Sequence, residues 1–195
     1  MNILGILGII VIAALGWVIF AYNAFVRLMN RADEAWADID VQLKRRYDLI
    51  PNLIETVKGY ASHERETLDQ VTRARAEATK IHVDPSNITP EQMQAMAGAE
   101  AGLTQSLGKL LAISESYPDL KANENFVELQ RELTDTENKI QAARRFYNTN
   151  IRDLNTAVQS FPQNVIAGVF KFSERDFFEL AADEQAAKDP VKVQF

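Results

Sequence analysis

The chain of 195 residues contains no cysteine, which excludes disulfides, thiolate chemistry and cysteine-ligated metals. It has only two histidines, and neither sits in a metal-binding pattern. Tyr60 stands three residues before His63 and Thr79 three before His82, so the Glu-x-x-His pair of bundle-held metals is missing. His63-Glu64 also lacks the second histidine of a zinc-protease signature, because position 67 is Thr. His63 therefore reads as a helix hydrogen-bonding residue rather than a general base. Glycine-rich phosphate loops and a strand-to-helix serine elbow are also lacking, so no residue is a candidate catalyst and no cofactor is expected. Eight Gly and six Pro leave few places to turn, and the stretches between them are rich in Ala, Leu, Glu, Gln and Arg, all strong helix formers. The class is all-α.

A surplus of one charge sign is lacking from the stretch that holds nearly half of the basic residues. Residues 22–82 carry ten basic and ten acidic side chains, so the net charge of −6 arises downstream, with six acidic residues from Ser173 to Asp189 against Arg175 and Lys188. No clustered basic face results, which argues against nucleic acid as a partner.

Charge of either sign is missing altogether from Ile3 to Ala21. Nineteen helical residues span roughly 28 Å, close to the hydrocarbon thickness of a bilayer. Ile3, Leu4, Ile6, Leu7, Ile9, Ile10, Val11, Ile12, Leu15, Trp17, Val18, Ile19 and Phe20 form this anchor, residues 1–21. A signal peptide is the competing reading, but no basic segment precedes Ile3 and the exit Phe20-Ala21-Tyr22-Asn23-Ala24 lacks a small-x-small cleavage site. Arg27 and Arg31 follow the span while nothing basic precedes it, which orients the N-terminus outside and the body in the cytoplasm.

The body, residues 22–187, has sustained helical periodicity. Trp36, Asp40, Leu43, Tyr47, Ile50, Ile54, Val57, Ala61, Glu64, Leu68 and Val71 alternate steps of four and three, the 3.5-residue period of helices that supercoil around neighbours. Pro51 falls inside this run, removing a donor and crowding the carbonyl of Tyr47. Because the apolar phase survives Pro51, the expectation is one kinked helix continuous with the anchor and reaching about residue 82. Asp84-Pro85-Ser86-Asn87 is a turn, and Thr89, Pro90 and Gln92 supply an N-cap, an N1 proline and a capping-box partner for a second helix to about Ser116. A third helix carries Phe126, Leu129, Leu133, Thr136, Ile140, Ala143, Tyr147, Ile151, Leu154, Val158 and Phe161 in the same period. Val165 to Phe172 and Asp176 to Ala187, the latter capped by Ser173, follow as short amphipathic pieces before a tail, residues 188–195. The expected fold is an elongated antiparallel bundle of three long helices plus a short C-terminal one.

The polar cluster Arg45, Arg46, Asp48 and Asn52 flanks the kink residue Pro51. It reads as inter-helix pairing with Glu132 and Glu137 of the third helix, since Arg pairs bidentately with carboxylates and sets register; a recognition or gating site at the kink is the alternative. Five of the ten Phe lie between Phe161 and Phe178. They read as a segment closing the bundle's groove, and an interfacial membrane anchor is the alternative, against which the acidic residues from Glu174 onward weigh.

The stretches KRRYDLIPNLIETVKGYASHE, Lys44 to Glu64, and YPDLKANENFVELQRELTDTENKIQAARRFYNTNIRDLN, Tyr117 to Asn155, followed by Phe161-Pro162, closely resemble the LemA family of bacterial membrane proteins. The resemblance covers nearly the whole chain. It implies an N-terminal transmembrane helix, an elongated cytoplasmic-type bundle and residence in the bacterial inner membrane, and it names no catalytic residue. Its magnetosome-associated branch looks tied to membrane-organelle formation. Some other members resemble lipoproteins, which a chain without Cys does not. Long, narrow helices leave apolar stripe uncovered, so a homo-oligomer is expected, with Trp36 as its self-association residue. The function these features suggest is a non-enzymatic scaffold on the lipid bilayer; the alternative is an adaptor or regulatory subunit of another membrane protein, such as a protease or transporter.

Overall fold

The computed structural model describes residues 3–81, 83 and 88–178. Six helices follow one another: α1 (Ile3–Tyr60), α2 (Arg65–Ala78), α3 (Pro90–Ser114), α4 (Pro118–Lys121), α5 (Glu124–Gln159) and α6 (Gln163–Phe170). No strand occurs among the described residues.

The first helix spans 58 residues, or about 87 Å at 1.5 Å per residue. Its N-terminal third has an 18-residue window of mean hydropathy 2.8, none of which is buried against protein, so only an apolar solvent satisfies these side chains. The helix then enters the body without a break and passes through Pro51.

The single helix expected over residues 22–82 is not what forms. The chain leaves α1 after Tyr60 and reverses at Ala61–Glu64, so that α2 doubles back along α1 and brings Arg75 to Tyr47. Gly59, Ser62 and His63 are poor helix formers, and a straight continuation would have left the apolar side of residues 64–78 beyond the tip of the bundle. Reversal instead buries Leu68 and Val71 against Leu53 and Val57. The 3.5-residue phase persists across the break because both helices turn the same stripe to one core.

The Thr89 capping box forms as its sequence dictates: the Gln92 amide donates to Thr89 Oγ1 at 3.3 Å and the Thr89 amide to Gln92 Oε1 at 3.1 Å. From there α3 runs parallel to α1, and α5, capped by Asn123, returns alongside α1 towards the anchor. The body is thus four helices running alternately up and down, with the short member α2 contributed by the divided first segment. The closest backbone pairs are α1 with α5 and α2 with α3.

Three apolar clusters stack along this axis. The distal one joins Ile50, Leu53 and Val57 to Leu103, Leu110, Leu120 and Phe126. The middle one joins Trp36, Ile39 and Leu43 to Met93, Met96, Ile140 and Tyr147. At the base, Ala21 and Phe25 meet Leu154, Ile166 and Ala167. The seam of α1 therefore runs through Ile39, Arg46 and Leu53, not through Asp40, Tyr47 and Ile54 as the alternating count suggested; Asp40 is exposed. The helix expected from Asp176 is not present at its start, because residues 172–178 are extended, and 179–195 lie outside the described residues. The same holds for the turn at 84–87.

Candidate functional site

The α1–α5 seam brings the two family-like stretches face to face in one antiparallel register. Tyr60 lies opposite Asn123, whose Nδ2 donates to the tyrosine oxygen at 2.9 Å. Fourteen residues back along α1 and fourteen on along α5, Arg46 Nη1 meets Glu137 Oε2 at 2.7 Å. Ten more in each direction pair Trp36 with Tyr147, ring centroids 5.3 Å apart and edge to face. Beyond the tip, Tyr117 donates to Glu64 at 3.1 Å. On the rim, Arg45 Nη2 lies 2.8 Å from Glu132 Oε2.

Arg46 is the chemical centre of this seam. It is only 1 % exposed, and beside Glu137 it pairs with Glu100 of α3, itself 2 % exposed, and reaches Thr104 Oγ1 at 3.4 Å. The Tyr47 hydroxyl donates to the same Glu100. Burial holds the Tyr47 phenol above its ordinary value, with nearby Arg46 opposing the shift, so it remains a neutral donor to the carboxylate. One guanidinium is thus shared by two carboxylates from two helices, which leaves its charge committed to holding α1, α3 and α5 in one arrangement.

Pro51 takes its place in the same network. A proline cannot donate to the carbonyl four residues back, which is that of Tyr47. Arg75 Nε of α2 donates to that oxygen at 2.7 Å, so α2 supplies the hydrogen bond that α1 lost. Asp48 and Asn52, grouped with Arg45 and Arg46 on sequence proximity, are exposed on the other side of α1 and do not join the cluster; the Asn52 carbonyl accepts from Thr56. Glu100 and Arg75 were not foreseen. Glu100 could have been, since it continues the three-four spacing of Met93, Met96, Leu103, Leu107 and Leu110 and is the one charge in that core stripe.

Closer to the anchor, the extended residues 172–178 run up the groove as a strap. Asn155 Nδ2 donates to the Arg175 carbonyl and the Arg175 amide to Asn155 Oδ1, both at 2.9 Å. Asn148 repeats this with Phe178, at 3.0 and 2.8 Å. Seven helical residues rise about 10.5 Å and three extended ones about 10 Å, so two side-chain amides one heptad apart reach backbone positions three residues apart in the strap. Arg175 also meets Asp33 at 2.5 Å, Arg144 lies 4.3 Å above the Phe178 ring, and the Tyr147 hydroxyl donates to the Asp176 carbonyl at 3.2 Å. Burial pushes Tyr147 up to about 12.

Trp36 is 4 % exposed beneath this strap, against Tyr147 and Phe178 of its own chain. It is not available to a second copy, which corrects its assignment to self-association. The stripe expected to be left bare is covered by the strap and by α2, neither of which the linear pattern revealed.

At the base, Tyr22 and Phe25 of α1 pack on Phe170 and Phe172, with Phe25 and Phe172 stacked at 4.8 Å. Among the described residues no group of three His, Asp or Glu side chains is arranged to hold a metal ion.

Residues 35–195 match the LemA family. Similar proteins include magnetosome protein MamQ of Magnetospirillum gryphiswaldense, 24 % identical over 92 % of this chain and 71 % of that protein. Magnetosome protein MamQ 2 of Paramagnetospirillum magneticum is 23 % identical over 93 % and 72 %. Protein LemA of Metamycoplasma hominis is 27 % identical over 88 % and 75 %. The family match starts beside Trp36, at the middle cluster, and takes in the seam, the Arg46 cluster and the strap.

Proposed function

The chain belongs to the LemA family, and on that premise we propose that it is a non-enzymatic scaffold, anchored in the bacterial inner membrane with its body in the cytoplasm, which organises membrane or gathers partners. The observation that supports this most is α1 itself: one helix carries the span and the body together, and α5 is locked to it in a single register from Trp36 to Tyr60. A stalk so built transmits position rather than chemistry. The buried Arg46 is paired with Glu100 and Glu137, and these charges hold helices together rather than facing a substrate. Similarity to proteins named for the magnetosome is in keeping with a role at a membrane.

Extraction of the full chain from native membranes in mild detergent, with mass analysis of all that stays bound, tests this. A scaffold gives a large homogeneous particle of this chain. A monomer holding a distinct membrane protein in fixed ratio would replace the scaffold reading with that of an adaptor, and a retained small-molecule substrate would remove both.

A further inference from the structure

We propose that α6 is a second membrane contact, an interfacial helix whose outer side chains Val165 and Val169, with Phe161 just before it, are immersed in lipid beside the α1 span. The inner side of α6, Ile166 and Ala167, is packed on Ala21 and Phe25, with Val18 of the span against the same cluster. Those α1 residues lie where the uncharged run gives way to Arg27, so α6 sits at the depth of the headgroup and acyl boundary. Its other side is apolar yet covered by nothing in the chain: Phe161 is 83 % exposed, a value that otherwise belongs to Leu4 within the span, and Val165 and Val169 follow at helical spacing with 54 % and 68 %. An apolar face left bare in the body would mark any of several partners. Here it is continuous with a surface that already requires lipid.

Charge agrees with this placement. No acidic residue occurs between Asp153 and Glu174, and Lys171 follows the helix directly. The acidic residues from Glu174 onward, which weigh against a membrane contact in the linear sequence, begin where the strap turns away: Phe172 lies on Phe25, Arg175 on Asp33 and Phe178 on Trp36, each farther from the span. A short helix at the boundary that is apolar on both faces is held by its inner face to the spanning helix and turns its outer face to lipid.

The inference rests on α1 being the anchor, and the experiment separates the two. Because the chain has no Cys, single spin labels can be placed at Phe161→Cys, Val165→Cys and Val169→Cys in the full chain reconstituted in bilayer nanodiscs, with Ile10→Cys and Val127→Cys as span and body references. Collision with oxygen, which partitions into lipid, is compared with collision with a water-soluble nickel chelate. The oxygen-to-nickel ratio at Phe161, Val165 and Val169 should lie several-fold above that at Val127 and approach that at Ile10. Nickel access at Val165 and Val169 equal to that at Val127, with Ile10 in lipid, would overturn the proposal and leave the anchor standing. Protection from both reagents would overturn it too, by showing a protein cover such as a second copy. Nickel access at Ile10 would remove the anchor reading and this one with it.

Discussion

The level of Arg46 and the level of Trp36 solve the same problem, closing the α1–α5 pair, by different means. At Arg46 the groove is closed by helices, α2 and α3, and the buried polar groups are charged and mutually paired. At Trp36 it is closed by an extended strap, and the polar groups holding that strap are the neutral amides of Asn148 and Asn155. A buried charge is tolerated only where rigid elements hold its partners in place, since an unpaired one is costly. An extended segment has unpaired backbone donors and acceptors at every residue, and a side-chain amide, with one of each, matches them. The distal end is thus joined through paired charges on three helices, whereas the strap is a layer added through side-chain amides, and it is the part expected to open first.

The sharpest way to break this contrast is at Arg46. Arg46→Ala should cost about 3–5 kcal/mol in denaturant unfolding of the detergent-solubilised full chain, because it strands the buried Glu100, and Glu100→Ala should cost less, because Arg46 keeps Glu137. Replacing both with apolar residues of similar size should recover most of that loss. At the exposed rim, Arg45→Ala should change little. Equal losses at Arg45 and Arg46 would mean that the buried cluster is not what unifies the distal end.

Next in size is the response of the strap to alkali. Burial raises Tyr147 to about 12 from an ordinary 10.0, so the folded chain holds the phenolic proton more tightly than the unfolded one. The stabilisation is fully present below pH 10 and is lost between pH 10 and about 12, by up to about 3 kcal/mol. Tyr147→Phe should flatten that part of the stability profile; an unchanged slope would show that other groups control it.

Asn155→Ala removes two backbone hydrogen bonds and should weaken strap docking by about 1–3 kcal/mol. Protease cleavage at Lys171 or Arg175 should quicken while the midpoint of global unfolding moves far less. If the two change in step, the strap is not a separate layer.

The smallest effect is at the proline. With Arg75 already on the Tyr47 carbonyl, Pro51→Ala restores a donor to an oxygen that has one, so its net effect should stay within about 1 kcal/mol. Arg75→Ala should be costlier with Pro51 present than with Ala there. A double-mutant cycle without coupling would show that the two substitutions act separately.

Much of the α1–α5 seam was legible in the linear pattern. The charges at Arg45 and Arg46, placed in an apolar period opposite Glu132 and Glu137, pointed to the pairs that the structure contains. Asp48 and Asn52 were misread because neighbours in sequence lie on different faces of a helix. Asn148 and Asn155 were invisible as a pair, since an extended strap has no helical period of its own to register against theirs.

The apolar span at the start of α1, the helical class, the cap at Thr89 and the face that α5 turns to α1 follow from the linear pattern alone, because each depends on spacing or composition within one segment. Packing in three dimensions was needed to make the chain reverse at Ala61–Glu64, bring Glu100 to Arg46, set Arg75 on the carbonyl left by Pro51, and lay the chain's own strap over Trp36. These are choices among partners of the same chemistry. Periodicity states which face a helix must bury, and the burial available to the whole chain settles what covers it.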